Sequence, residues 1–571
     1  MNAEWVYLET DADLELMSKT LGVRPITAKV LANRGIRSKN SAIKFLNPAR
    51  KFMYDAALLM DMGKAVSITY GAIITGKKIT VYGDYDVDGV SGTVILVKAI
   101  RSLGGVVSYY IPGREDEGYG MNAAAVEVLA KSGTELIIAC DNGISAVQEI
   151  RLARELNMDV VVIDHHEPGE ELPEANAIID HKRADCAYPF KHLCAAALCY
   201  KFAEELFKHA GADFHEMDSE LLAFAGLATV CDIVSMTDEN RVIAVNGLAA
   251  ISRGISNPGL NALLLVRSLL GKQIGVYETG YIIGPCINAA GRLEKADLAV
   301  ELFLLGDSVS DKERAYELAG VLSGLNDERK RLTSNYAQKM IEAVRLENQN
   351  VYVLFDADMP ESIAGIVAGR VKDTSNHPAI VLTKASVPGY VKGSARSVSG
   401  YNIFEELYAH RKFFKRFGGH EMAAGLTMRE EYIDELRKRL NGACTLTDAD
   451  FVKKLYIDAD LCPEDVTMEL ALELARLAPF GPDTPEPVFT MRNIICESID
   501  RIGSDKKTLR FTFGTSRKLK GIAFGKYDEF ASALDACFPL KMDIAFNIDV
   551  NEYNGYSNVQ MKVLGIVLIP N

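Results

Sequence analysis

Short apolar runs rich in β-branched residues recur between about 65 and 235: Ile79–Tyr82, Val106–Ile111, Leu136–Ala139 and Val160–Ile163. Helical patterns of about a dozen residues separate them. That alternation predicts an open, mostly parallel α/β sheet. Residues 1 to about 50 read as short helices without a chemical motif, and residues 236 to 305 as mixed but mostly helical. Ser310 and Glu313 form a capping box. Leu318, Leu322, Leu325, Leu332, Tyr336, Met340 and Val344 then recur at helical spacing. They predict one helix of about ten turns that bridges two lobes, with Gly320 and Gly324 as its weak points. A second α/β unit runs from Val351 to about Asn441, with VYVLF and AIVL as its clearest strands. Beyond about 450, runs such as LRFTF and DIAFNIDV alternate, mostly after the Pro-rich stretch APFGPDTPEPVF. They predict an all-β terminal module, a small barrel. The expected segments are therefore 1–50 helical, 51–305 the parallel-sheet domain, 306–348 the connecting helix, 349–445 a smaller α/β domain and 446–571 the barrel.

Composition narrows the class. At 571 residues the chain exceeds one core, and a prior of ~150 residues per domain gives three or four domains. Hydrophobic residues make up 48% and charged residues 25%, an ordinary globular balance. No run reaches the ~18 apolar residues of a membrane span. The acidic start lacks a signal-peptide pattern, so the expected location is the cytoplasm, with no membrane partner. The ten cysteines contain no Cys-x-x-Cys pair, and Cys186, Cys194 and Cys199 fit no common zinc spacing. They read as reduced, mostly buried thiols. A net charge of −14 weighs against a nucleic-acid partner, yet binding uses local patches. From Arg492 to Lys526 nine Lys/Arg face three Asp/Glu. Phe511, Phe513 and Phe524 are interleaved among them, and each reads equally well as a base-stacking ring or as barrel core.

Four motifs carry candidate chemistry. The first, Asp84-Tyr-Asp86-Val-Asp88-Gly89, follows an apolar strand, where carboxylates face the ligand crevice of a parallel sheet. Bound divalent cations would remove the repulsion among them, and a solvated acidic turn is the plain alternative. A calcium loop is excluded, because Ile95 stands where its glutamate belongs. The second is Asp141 in CDNG, which reads equally well as a helix cap. The third, Asp164-His165-His166, ends another strand. Imidazoles suit transition metals, and Asp164 could orient a neighbouring ring. The fourth is Asp232 in TVCDIV, for which a cap or an ion pair is the alternative. Together they describe an oxygen-rich site with imidazole, suited to Mn²⁺ or Mg²⁺, and a pair of such ions can serve phosphoryl transfer. Gly71 to Lys78, GAIITGKK, nearly spells a phosphate loop, but it lacks the final Ser/Thr and precedes a strand. It reads as a helix end, with no ATP requirement.

In this order the four motifs resemble those of the DHH phosphoesterase family. The resemblance implies Asp86 at a first metal and Asp88 at a second, with Asp141 bridging. His165 and Asp232 would complete the second site, His166 would contact the scissile phosphate, and Asp84 and Asp164 would support the catalytic group. Pyrophosphatase relatives place a His ligand where this chain has Tyr82, which implies a looser first site. Gly393 to Ser397 and Phe417 to His420 resemble the phosphate-contacting motifs of the family's DHHA1 domain. Pro112 to Gly120, Ile287 to Arg292 and Ala478 to Gly481 resemble the RecJ branch in particular. That branch implies a pocket for a 5′-phosphate end built from Arg114, Arg292, Ser394 and Arg396, with His420 also at the substrate, and an OB-fold as the barrel. Asp180-His181 and Cys194-Ala-Ala-Ala depart from the pattern, which puts local packing there in question.

The implied activity is 5′→3′ hydrolysis of single-stranded DNA to nucleoside 5′-monophosphates, served by two Mn²⁺ or Mg²⁺ ions in repair and recombination. Its partners would be single-stranded DNA, with a helicase and a single-strand-binding protein assisting. The alternatives are a phosphodiesterase for short oligonucleotides or cyclic dinucleotides, and a non-catalytic replication scaffold.

Overall fold

The computed structural model of the chain describes all residues except 1–2, 115–116, 347–348, 504–505, 515–517, 528, 535–536, 554–555 and 570–571. Glu115 and Asp116 of the loop motif, and Asp505 and Arg517 of the basic segment, lie outside the described residues. The chain divides into two compact units, Ala49–Thr447 and a second made of Met1–Pro48 with Asp448–Asn571.

The larger unit opens with a five-stranded parallel sheet. Its order is Val107–Tyr110, Ile79–Tyr82, Leu136–Cys140, Asp159–Ile163, Ala177–Ile179. The short last strand was not legible as an apolar run. Both faces of the sheet are covered, which is why the strands are continuously apolar. Val81, Ile138 and Val161 join one core, while Tyr82, Ile137, Val160 and Val162 join the other. The first strand lies between the second and the third, so the winding reverses there. In open α/β sheets that reversal leaves a ligand crevice at the carboxyl ends of the strands.

A helix of 38 residues, Val309–Leu346, follows the helical part of this domain. It runs unbroken through Gly320 and Gly324. Its N-terminal cap is Ser308 and not Ser310: the Asp311 amide donates to Ser308 Oγ at 3.1 Å. Leu318 and Leu322 pack in the first domain's core, whereas Ala337, Met340 and Val344 pack with Tyr352, Leu354 and Val381. The helix thus joins two cores. The second core lies under a five-stranded mixed sheet, ordered Phe414–His420, Ala423–Arg429, Tyr390–Arg396, Ala379–Lys384, Tyr352–Phe355.

The smaller unit is a closed barrel. Six strands run in one sheet, and Phe489–Ile502 pairs with Leu540–Tyr553 to close it. Phe511 and Phe513 are fully buried in its core, which rules out a stacking role for these two rings, while Phe524 is 62% exposed. The first fifty residues hold a strand the sequence did not announce: Glu4–Tyr7 pairs in parallel with Lys454–Ile457. Val30, Leu31 and Phe45 share the barrel's core. No single helix among the described residues is long and apolar enough to cross a membrane.

Candidate active site

Three neighbouring strands deliver the acidic and imidazole groups to one edge of the parallel sheet. Ile79–Tyr82 leads into Asp84, Asp86 and Asp88, Leu136–Cys140 into Asp141, and Asp159–Ile163 into Asp164, His165 and His166. Asp232 arrives from elsewhere, as the C-terminal cap of the helix His215–Cys231. The ligand-capable atoms of Asp84, Asp86 and Asp141 all lie within 4.8 Å of one another. So do those of Asp88, His165 and Asp232, and those of Asp141, His165 and His166. His165 Nε2 is the hub, at 3.2 Å from Asp141, 3.6 Å from Asp88 and 3.8 Å from Asp232.

Tight backbone geometry makes this convergence possible. A Cβ on Gly89 would fall 2.6 Å from the Cβ, N and O of Asp84. Asp141 itself holds a left-handed backbone at φ 62°, strain of the kind that collects at functional sites. Asp86 caps the start of its own helix by accepting from the amides of Asp88 and Gly89. Asp88 accepts from the amides of Ala195 and Ala196 at 2.7 and 2.8 Å, at the N-terminus of the helix Ala195–Ala210. The departure at Asp180-His181 is absorbed there: buried His181 lies 3.0 Å from the Leu193 carbonyl, just before that helix.

Electrostatics sort the carboxylates into two kinds. Asp164 is buried, which alone would raise its pKa. His166, the Ile144 amide and His165 outweigh burial and hold it at about 2. Its charge is satisfied by protein. Asp84 and Asp141 are held well above the usual carboxylate range, by burial first and then by neighbouring aspartates. Asp88 is raised to about 6 and Asp232 to about 9 for the same reasons. Asp84 Oδ1 and Asp141 Oδ1 are buried with no hydrogen-bond partner among the described residues. Buried carboxylates crowded together and left unsatisfied are what a divalent cation would neutralise. The donor set is oxygen with one or two imidazoles, so Mn²⁺ or Mg²⁺ fits the residues present.

The two histidines differ as well. Burial, then the charge of His166, lowers the His165 pKa to about 3, which leaves a neutral ring with a lone pair for a metal. His166 is pressed down by burial, but its bond to Asp164 at 2.7 Å and the charges of Asp164, Asp232 and Asp88 prevail. They raise it to about 9, so it is cationic at neutral pH. Tyr119 had no assigned role in the sequence. Its hydroxyl donates to the Asp141 carbonyl at 2.9 Å and lies 3.2 Å from His166 Nε2. Asn288 was equally silent, and its Oδ1 accepts from the Val87 amide between Asp86 and Asp88 at 3.1 Å. Both stand in quoted motifs, which was the available signal. Tyr82, where relatives carry a His, is fully buried. It donates to the Gly120 carbonyl and accepts from Asn122, each at 3.3 Å.

A cavity of about 510 Å³ opens from Tyr85 and is lined by Arg114, Arg292, Lys295, Glu117 and Ser362 among others. The Arg114 guanidinium lies 4.9 Å from the Tyr85 ring centroid. Arg292 donates to the Ser362 carbonyl at 2.8 Å, and burial with nearby Arg114 and Arg329 presses its pKa to about 9. Arg396 donates to Ser394 Oγ at 2.9 Å. Burial and Arg114 lower its pKa too. Arg114, Arg292 and Arg396 have no carboxylate partner among the described residues. By contrast, Arg34 and Arg183, whose side chains are buried, are each ion-paired. His420 is exposed and lies opposite Ala423, which in turn lies opposite Arg396, so the three form a row across the sheet.

A parallel sheet ending in crowded carboxylates suited to divalent cations, followed by a long helix and a second sheet whose Arg396 has no carboxylate partner among the described residues, defines a phosphoesterase of the DHH class. Profiles of known families match in the same order: the DHH family N-terminal domain over residues 78–229, the DHHA1 domain over 348–445 and the RecJ OB domain over 457–564. The chain belongs to the RecJ family. It is 35% identical over 568 residues to the single-stranded-DNA-specific exonuclease RecJ of Bacillus subtilis, covering 98% of this chain and 70% of that one. It is 31% identical to the RecJ of Escherichia coli, covering 94% and 95%. The crystal structure of RecJ in complex with Mn²⁺ from Thermus thermophilus superposes with a TM-score of 0.84. Sequence identity to it is 25%, and the match covers 100% of this chain and 80% of that one.

Proposed function

We propose that this protein is a divalent-metal-dependent exonuclease that removes nucleotides from the 5′ end of single-stranded DNA, in DNA repair and recombination. One observation carries the reading: every acidic and imidazole residue of the four motifs is present and converges at one strand edge, in a chain akin to single-strand exonucleases over nearly its whole length. Asp86, Asp88, Asp141, His165 and Asp232 would hold two Mn²⁺ or Mg²⁺ ions, with Asp84 beside them. Bound there, such ions would supply charge neutralisation for the attacking and departing oxygens.

The chain's own groups do the rest. Asp164 keeps His166 oriented and protonated, so a cation faces the phosphoryl oxygens of the scissile bond. Tyr119 steadies both His166 and the Asp141 backbone. Arg114, Arg292, Ser394 and Arg396 take the terminal 5′-phosphate, with His420 along the strand, and the cavity beside Tyr85 is of a size that takes a small ligand. Water adds across the phosphorus–O3′ bond, releasing a nucleoside 5′-monophosphate and a strand one residue shorter. The setting we propose is the cytoplasm, where a helicase and a single-strand-binding protein would supply the strand.

The test is digestion of a long single strand labelled at either end, with Mn²⁺ or EDTA, beside its duplex and beside the Asp141→Ala variant. Early loss of the 5′ label from the single strand only, abolished by EDTA and by the substitution, is expected. Cleavage confined to oligonucleotides of a few residues, or no cleavage at all with metal present, would refute it.

A further inference from the structure

The small mixed sheet carries a surface of which the proposed reaction uses only His420. Between Leu407 and His420 the chain has four Lys/Arg and no Asp or Glu, within a protein of net charge −14. This segment forms the end of the helix Ile403–Tyr408, the turn Arg411–Phe413 and the edge strand Phe414–His420.

Four rings stack here in a column. Phe414 meets Phe417 at 5.4 Å and 26°, Phe417 meets Phe404 at 5.0 Å and 22°, and Phe404 meets Tyr408 at 6.0 Å and 23°. The column ends on Tyr408, which is 51% exposed. Cations lie on its Tyr408 end and on two rings outside the column. Arg411 lies 5.6 Å from the Tyr408 ring, Lys412 lies 5.7 Å from Phe413 and Lys415 lies 5.0 Å from Tyr390. Arg411, Lys412, Lys415 and Arg416 are all exposed, and none is ion-paired among the described residues. Neighbouring Arg429, Arg437 and Arg439 are each paired with a glutamate or aspartate. Lysines on an edge strand also guard against sheet-to-sheet aggregation. That role does not account for a half-exposed aromatic column beside them. Rings interleaved with unpaired cations are how sequence-tolerant surfaces hold a single strand.

We propose that this face is a second single-strand-binding surface, where bases stack at the Tyr408 end of the ring column and phosphates meet Lys412, Lys415 and Arg416. The edge strand is roughly 23 Å long, enough for several nucleotides. Along it Arg416 and His420 share the face of Ala423 and Arg396, whereas Phe414 and Phe417 point to the other, so a strand leaving the cleft reaches the ring column by turning round this sheet edge. A strand whose 5′ end lies in the cleft would pass over it with its downstream nucleotides. That order rests on the exonuclease reading above, whereas the binding itself does not.

The test uses the full chain with Lys412, Lys415 and Arg416 all replaced by Ala, and separately Tyr408→Ala. Hydrolysis of 5′-phosphorylated trimers and long strands is compared with Mn²⁺ present. Strand binding is measured by fluorescence anisotropy in EDTA across a salt series. For the triple variant, KM for long strands should rise about ten-fold with kcat unchanged and trimers unaffected, and the salt dependence of binding should fall by roughly two ions. Tyr408→Ala should weaken binding of ordinary strands and spare abasic ones. An unchanged long-strand KM and salt slope, or an equal loss on trimers, would overturn the surface. Equal losses on ordinary and abasic strands would overturn the stacking. If the unaltered protein cleaves neither substrate, the exonuclease reading fails, and the anisotropy measurement still decides this proposal.

Discussion

Asp141 and Asp164 end adjacent strands, and both are buried, yet their acidities move in opposite directions. The difference is partners: Asp164 accepts from three backbone amides and a cationic imidazole, whereas Asp141 Oδ1 accepts no hydrogen bond among the described residues and lies among other acids and the neutral His165 ring. Asp164→Asn is therefore expected to keep the fold but cut kcat at saturating Mn²⁺ by ~10²–10³-fold, because His166 loses the carboxylate that orients it and holds its proton. An unchanged kcat would remove Asp164 from that role. Gly89→Ala should cost ~1–3 kcal/mol in chemical denaturation, because the new methyl would meet Asp84 at 2.6 Å. The raised carboxylates set a pH dependence. In metal-free protein they hold protons that the unfolded chain has already lost. Their contribution is greatest at acid pH and is lost as pH rises through about 6 for Asp88 and about 9 for Asp232. A bound cation removes that loss. The gain in Tm from Mn²⁺ over EDTA should thus be larger at about pH 8.5 than at about pH 5.5. Equal gains at the two would contradict the assignment.

At the scale of elements, helix termini tie the chemistry to the scaffold. Asp88 accepts from two amides that open the helix Ala195–Ala210, and the first nine residues of that helix are buried. Asp88→Ala should therefore lose stability as well as activity, by ~1–3 kcal/mol, where Asp232→Ala, whose side chain accepts from no backbone amide among the described residues, loses activity alone. Denaturant titration of both metal-free variants separates the two outcomes. The long helix shows the opposite case, a residue the fold does not need. A Cβ on Gly324 would meet nothing within 4 Å. Gly324→Ala is expected to stabilise the protein by about 1 kcal/mol, through helix propensity alone. The helix itself was legible because seven apolar residues keep its period over 27 positions. Its cap was misplaced because Ser308 and Ser310 look alike until the amide of Asp311 selects one.

At the scale of the molecule, the first and last parts of the chain make one unit. Val30, Leu31 and Phe45 complete the core that Phe489, Phe511 and Phe546 begin. Removing residues 1–48 should expose that core and lower the thermal midpoint of the barrel, while the unit Ala49–Thr447 keeps its own. Calorimetry of the truncated chain checks this, and an unshifted barrel transition would contradict it. The barrel also shows why the interleaved phenylalanines stayed ambiguous. Alternate strand residues face inward and outward, and only closure of the sheet decides which set is inside. Closure placed Phe511 and Phe513 in the core and left Phe524 out.

The order of residues alone carried the sheet, the long helix, the barrel, the placing of three acidic motifs at strand ends and that of Asp232 after a helix. Those features depend on periodicity within a dozen residues, which backbone geometry reads directly. The short strand Ala177–Ile179 and the strand Glu4–Tyr7 were not legible, being too brief to show a period. Tertiary structure decided which carboxylates meet, since Asp84, Asp141 and Asp232 lie far apart in the chain and converge only where the sheet's winding reverses. It also decided that Tyr119 and Asn288 belong to the site, that Asp164 is satisfied by protein, and that the arginines of the cleft have no carboxylate partner among the described residues. Burial and the positions of distant partners set the protonation and pairing of a side chain, and neither is a property of its neighbours in sequence.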